Sequence, residues 1–313
     1  MAQQRYVYLS GRYVTENEAR LSIFDSALMF GDAVFEMTRT YGQKPFRLMD
    51  HLERLYASMD YALIDCGMTI EEMEEATQAT IEKNRDALGD FDFQIMHNVS
   101  RGPLGLYSEI LEEGAGPVVT ISTIPLVRHV GSAVAMFEQG AHFVITPQQS
   151  VPARYIDPKA KNRSRIYYSI ANLQASRMAE GSQPLLTDER GFITEGTGSN
   201  FFMAKDGEVY TPKGHDILRG VSRAACMEYA RGIGRSVHEA DIQPYDVRAA
   251  DEAWFTTTPF TIVPITRFDF APVGDGVPGP IYAEIVAAWS VDVGVDILAQ
   301  VQEYGELAKT WTP

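Results

Sequence analysis

The sequence is poor in cysteine, with only Cys66 and Cys226 in 313 residues. Two distant thiols form no disulfide framework, so a reducing compartment is expected. Positive charge is also scarce. Lys and Arg number 27 against 42 Asp and Glu, a formal charge of −15. That balance argues against a nucleic-acid or anionic-membrane partner, since both need a basic face. An anionic substrate would have to be held by a few placed cations. No apolar run approaches the ~18 residues of a membrane span. The opening MAQQRYVYLSGRYV lacks a basic stretch followed by an apolar one, so it does not read as a signal peptide. Repeats and low-complexity segments are missing too. The expectation is a soluble, cytoplasmic protein.

What is present is a globular pattern. Hydrophobic residues make up 45% and charged ones 22%, ordinary for a soluble fold. The length suits two domains with a large core. RYVYLSGRYV alternates like a hairpin turning at Ser10 and Gly11, and 33–40 is a strand candidate. Leu48, Leu52, Leu55 and Met59 recur at helical spacing. Thr69 with Glu72 forms a capping box for a polar helix running to about Gly89. Residues 93–100, 117–127 and 142–146 read as strands. A helix is expected from Arg163 to Glu180, with Ile166, Ile170 and Leu173 on one stripe. Turn signals at DERG and KDG divide three further strands. A helix opens at Ser222, and AWFTTT is the last strand. The fold class is therefore mixed α/β (α+β). A smaller N-terminal α/β domain spans 1–128, a linker 129–136, and a larger sheet-rich C-terminal domain 137–313.

Five segments carry groups with chemistry, each with an ordinary structural alternative. Lys161, in DPKAKNRS, is either a solvated lysine or an amine able to form an imine with an aldehyde cofactor; Lys159 is its rival. Glu195, in FITEGTGSNFF, is either a turn residue or a carboxylate facing a ring nitrogen. ILRGVSR offers Gly220 and a helix start whose free N–H groups suit a phosphate, with Ser222 as the candidate cap. Arg54 is either an ion-paired, snorkelled arginine or a phosphate ligand. Thr256, Thr257 and Thr258 are either strand formers or phosphate donors.

In combination these stretches resemble the fold-type IV pyridoxal-phosphate enzymes. That group comprises branched-chain aminotransferases, D-amino-acid aminotransferases, (R)-selective amine transaminases and aminodeoxychorismate lyases. The resemblance runs from about residue 5 to about 290, through FDSALMFGDAVFEMTR, KPFRLMDHLERLYAS, DPKAKN, LLTDERGFITEGTGSNFF, YTPKGHDILRGVSR, ADEAWFTTT and GDGVPGPIY. It implies pyridoxal 5′-phosphate as cofactor, with Lys161 as the imine lysine and Glu195 on the pyridine nitrogen. Arg54, the backbone of Val221 and Ser222, and Thr258 match the phosphate cup, with Arg219 beside it. Phe35, Arg101, Leu106 and Thr257 fall in the implied substrate pocket, and no metal is implied.

The sequence departs from the group in two places. Ile166 stands five residues after Lys161, where branched-chain members carry a tyrosine, with Arg165 and Tyr167 on either side. VSRGPLGLYS keeps Arg101 and Gly102 but has Leu106 and Ser108 where D-amino-acid members place an Arg-x-His carboxylate trap. The implied activity is transfer of an amino group from an amino acid or primary amine to a 2-oxo acid, leaning toward amine or broad substrates. A lyase on the same scaffold is the alternative. The resemblance also implies a homodimer, with the loop GPLGLYSEI after Arg101 at the partner chain.

Overall fold

The computed structural model describes residues 4–108 and 116–310. The chain forms two units. The first holds residues up to Val127 together with Ala160–Arg165, and the second holds Arg128–Lys159 and Ile166–Thr310.

The first unit opens with the hairpin β1 (Tyr6–Leu9) and β2 (Arg12–Thr15). Ser10 and Gly11 both take positive φ, 44° and 89°, as a two-residue turn compatible with strand twist requires. Then come α1 (Ser26–Phe30), β3 (Ala33–Tyr41), β4 (Lys44–Pro45), α2 (Leu48–Ala62), α3 (Ile70–Leu88), β5 (Phe93–Ser100), α4 (Gly105–Ser108) and β6 (Val118–Pro125). The strands form an antiparallel sheet in the order β2-β1-β6-β5-β3-β4. The Thr69–Glu72 capping box closes the start of α3 reciprocally. Leu52 and Leu55 of α2, Met73 of α3, Ile95 and Ile121 meet in a core closed to solvent, burial that dominates the stability of such a layer.

The second unit contains α5 (Val127–Gly131, entered from the first unit), α6 (Val134–Gln139), β7 (Ala141–Ile145), α7 (Ile166–Met178), β8 (Gln183–Thr187), β9 (Ile193–Gly196), β10 (Ser199–Lys205), β11 (Glu208–Pro212) and α8 (Val221–Gly232). It continues with β12 (Val237–Ala240), α9 (Pro244–Arg248), β13 (Glu252–Thr257), β14 (Thr261–Phe268), β15 (Ala271–Pro272), α10 (Pro280–Val293) and α11 (Ile297–Ala308). The path β10-β13-β14-β7-β8-β9 returns to β10, because β9 pairs with both β8 and β10. Those strands close into a ring without a free edge. β11 and β12 extend it beyond β10. Phe202 and Trp254 stack at 5.9 Å on neighbouring strands, and Trp289 of α10 is fully buried.

Several expectations need correction. The stretch 129–136 is no linker: it forms most of α5 and the start of α6, with Val130 and Ala133 buried. The C-terminal domain is not continuous, since 160–165 belongs to the first unit. There Arg163 N–H donates to Ala33 O and Phe35 N–H to Lys161 O. That pairing delays α7 until Ile166, where a helix from Arg163 was expected. The side of α7 that packs inward is Ala171 and Ala175, while Ile166, Ile170 and Leu173 are exposed. Small residues let the helix approach the sheet closely. Ser222 is not the cap of α8; Gly220 is, without a side-chain bond. AWFTTT is followed by two more strands, β14 and β15.

Candidate active site

Lys161 sits on the segment that pairs with β3. Its N–H donates to Ser58 Oγ at 3.0 Å and its carbonyl accepts from Phe35 N–H at 2.9 Å. Asn162 bridges to Val34. The backbone is thus fixed on both sides of the lysine, and Nζ stands 4.8 Å from the centre of the Phe35 ring. The rival Lys159 is committed elsewhere: its Nζ pairs with Asp157 at 2.8 Å and reaches His215 O at 3.2 Å.

Beneath this segment lies a buried charge cluster on β3 and α2. Glu36 is closed to solvent, and Arg54 grips it in a fork, Nε to Oε1 at 2.6 Å and Nη2 to Oε2 at 2.8 Å. His51 Nδ1 meets Oε2 at 2.8 Å. His51 and Arg54 lie three apart on one face of α2, which is why both reach the same carboxylate. Burial works to raise the Glu36 pKa, but the Arg54 charge and the His51 bond outweigh it and hold the carboxyl well below its usual range. Burial pushes His51 below its ordinary value against the pull of Glu36, so its ring is neutral near pH 7. The ion pair foreseen as the ordinary alternative for Arg54 is therefore present. Ser58 ties this cluster to the lysine, donating to Arg54 O at 2.8 Å while accepting from Lys161 N–H.

The second unit builds a different cluster around Glu195 at the end of β9. The carboxylate is buried. Tyr168 of α7 donates to its Oε1 at 2.7 Å, and the N–H of Leu218 to Oε2 at 3.0 Å. Asn200 Nδ2 lies 3.4 Å from Oε2 and donates to Leu218 O at 2.9 Å. Asn200 also abuts Gly220, where an added Cβ would stand 2.2 Å from its Oδ1. Only glycine fits there. From Gly220 the N–H groups of α8 begin, at Val221 and Ser222, with no side chain capping them. Thr256 pairs with Asn200 across the sheet, and its Oγ1 is buried with no hydrogen-bond partner among the described residues. Thr257 ends β13 and Thr258 begins the turn after it. A buried hydroxyl without a partner and an uncapped helix start are each groups that a phosphate can satisfy.

The chain matches the family model for amino-transferase class IV over residues 33–268. It belongs to the class IV aminotransferases. A Methanocaldococcus jannaschii protein, provisionally named a branched-chain-amino-acid aminotransferase, is 30% identical over 295 residues, covering 92% of this chain and 98% of that one. D-alanine aminotransferase of Bacillus licheniformis is 28% identical over 285 residues, covering 90% and 95%. The fold is shared with a T.th. branched-chain amino acid aminotransferase solved with pyridoxamine 5′-phosphate, at a TM-score of 0.82, 24% identity and 98% coverage of each chain. This class IV enzyme is thus an aminotransferase of mixed α/β fold. These three relatives are all aminotransferases; none supports a lyase.

Within the aminotransferase, the first unit gathers Lys161, Phe35 and Arg54, and the second gathers Glu195, Val221, Ser222 and the threonines. The guanidinium of Arg101 holds Asp32 at 2.6 and 3.2 Å and the carbonyls of Ala62 and Leu63 at 2.7 Å. Leu106 is 80% exposed in α4. Residues 109 and 110 of its loop lie outside the described residues. Arg219 is exposed and donates to Gly214 O. The sequence did not single out Glu36, His51, Asn200 or Tyr168. Of these, only the His51–Arg54 spacing carried a signal, and only once a partner strand was known.

Proposed function

We propose that this aminotransferase holds pyridoxal 5′-phosphate through Lys161 and uses that lysine to move the proton at the substrate's α-carbon. The carrying observation is the lysine's fixed backbone, bonded at N–H and C=O, beside a rival lysine already paired with Asp157. The cofactor, when bound, supplies an electron sink for the electrons of the broken α-bond. The residues fit that group. Glu195 is a buried carboxylate braced by Tyr168, the Leu218 N–H and Asn200, the kind of acceptor a ring N–H needs. The N–H groups of Val221 and Ser222, with Thr256 and Thr258, offer donors for the phosphate. The Lys161 amine takes and returns the α-proton as general acid and base. Lys161→Ala should abolish the near-visible absorbance of the loaded enzyme and drop turnover by several orders of magnitude. Loss in Lys159→Ala instead, with Lys161→Ala active, would move the assignment by two residues.

The substrates are an amino donor and a 2-oxo acid. We also read the protein as at least a homodimer. Leu28, Phe30 and Leu106 in the first unit, and Ile166 and Leu173 in the second, are all more than half exposed. Large apolar side chains in such number mark a contact surface. Sedimentation of a fully active monomer at micromolar concentration would refute the dimer.

A further inference from the structure

Phe35 carries an unusual set of neighbours. Besides Lys161, the Arg163 guanidinium carbon lies 3.6 Å from its ring centre and that of Arg165 5.3 Å. A cation over an aromatic face is attractive, but three around one ring also repel each other. Arg163 finds no carboxylate to offset this. Nε and Nη2 donate to Asn98 Oδ1 at 3.1 and 2.5 Å, and Nη2 reaches Met96 Sδ at 3.1 Å. Both partners are neutral, and among the described residues Arg163 forms no ion pair. Arg5, Arg85, Arg154 and Arg235, by contrast, each hold an acid. Burial and the like charge of Arg165 lower the Arg163 pKa to about 10, which leaves it cationic at neutral pH.

We propose that Arg163 recognises the substrate carboxylate, so that the enzyme selects amino acids and 2-oxo acids over amines that lack one. This rests on the reading of Lys161 as the reacting amine. An α-carboxylate is bonded to the carbon that bears the amino group, so its receptor must stand close to Lys161. Arg163 is two residues away and lies on the same aromatic ring. The guanidinium is held by Phe35 and Asn98, and Nη1 makes no hydrogen bond among the described residues. Nη1 of a guanidinium held in this way presents fixed donors to a carboxylate, which a flexible lysine ammonium does not. Arg101, expected in the substrate pocket, is committed to Asp32 and two carbonyls. On this reading the lean toward amine or broad substrates drawn from the sequence gives way to amino acids.

The test compares the loaded wild type with Arg163→Leu and Arg163→Lys. The half-reaction is followed with L-leucine, with D-alanine and with each enantiomer of 1-phenylethylamine, which has no carboxylate. Binding of hexanoate, a carboxylate without an amine, is measured by the change in absorbance of the loaded enzyme. Arg163→Leu should weaken amino-acid use and hexanoate binding by about 10- to 100-fold, while 1-phenylethylamine changes by no more than about three-fold. Arg163→Lys should recover part of the loss. Equal changes in both substrate classes, unchanged hexanoate binding in Arg163→Leu, or no hexanoate binding by the wild type would each overturn the proposal. A wild type that processes no donor would instead refute the transaminase reading, and the hexanoate arm would still decide the role of Arg163. If Arg163→Leu does not fold, Arg163→Lys must weaken hexanoate binding for the proposal to stand.

Discussion

Glu195 shows what a single residue needs from its surroundings. Its charge must persist in a buried place, and three donors on two oxygens provide for that. Glu195→Gln keeps the shape but loses the charge that would hold a ring nitrogen protonated. Turnover should fall by orders of magnitude while cofactor still binds through its phosphate. Tyr168→Phe removes one neutral donor, worth about 0.5–1.5 kcal/mol, and should slow the enzyme by about ten-fold at most. Equal rates in wild type and Glu195→Gln would reduce Glu195 to a turn residue. Lys161 and Glu195 stood out in the sequence because each lies in a distinctive short stretch. Tyr168, Asn200 and Glu36 were not, since what they do depends on partners 5 to 27 positions away. Arg163 was hidden for another reason: a missing acid partner is invisible until every neighbour is known.

At the scale of elements, local rules read well where chemistry is local. The capping box of α3, the Ser10–Gly11 hairpin and the stripe of α2 all follow from spacing. The reading failed where tertiary pairing overrides propensity. Residues 163–165 are drawn to β3, and 129–136 fold into short helices on the second unit. Helix α8 offers a clean test, because the glycines at its two ends have opposite surroundings. An Ala at Gly220 would put Cβ 2.2 Å from Asn200 Oδ1, displacing the side chain that braces Glu195 and Leu218. Gly220→Ala should destabilise by about 1–3 kcal/mol and weaken cofactor affinity. Gly232, the last residue of the same helix, has nothing within 4 Å of its Cβ position. Gly232→Ala should be neutral or stabilise by up to about 1 kcal/mol. Thermal melts of the two variants moving in the same direction would refute this account.

For the whole molecule, the buried groups of the first unit set its response to acid. His97 is closed to solvent on β5, and its Nε2 meets Thr77 Oγ1 at 2.8 Å. The Thr77 hydroxyl proton goes to Met73 O at 2.6 Å, so Nε2 must be the donor and Nδ1 is bare. Nδ1 has no partner among the described residues. A second proton would therefore enter an apolar place with nothing to accept from it. Burial accordingly lowers the His97 pKa to about 4, against about 6.5 in an unfolded chain. The folded pKa is depressed, so below pH 6.5 the unfolded state binds more protons than the folded one. The stability contributed is complete above about pH 6.5 and is lost progressively as pH falls toward 4. His51 is lowered too and adds to the same window. Glu36, also depressed, extends the loss below the ordinary carboxylate pKa near 4.3. The melting temperature should thus be flat from pH 8 to 7 and drop between 6.5 and 4. His97→Gln removes one titrating ring. It should melt lower than the wild type at pH 8, because the core is disturbed, yet lose less on going from pH 7 to 5. Parallel melting curves for the two proteins across that range would show that His97 does not carry the acid response.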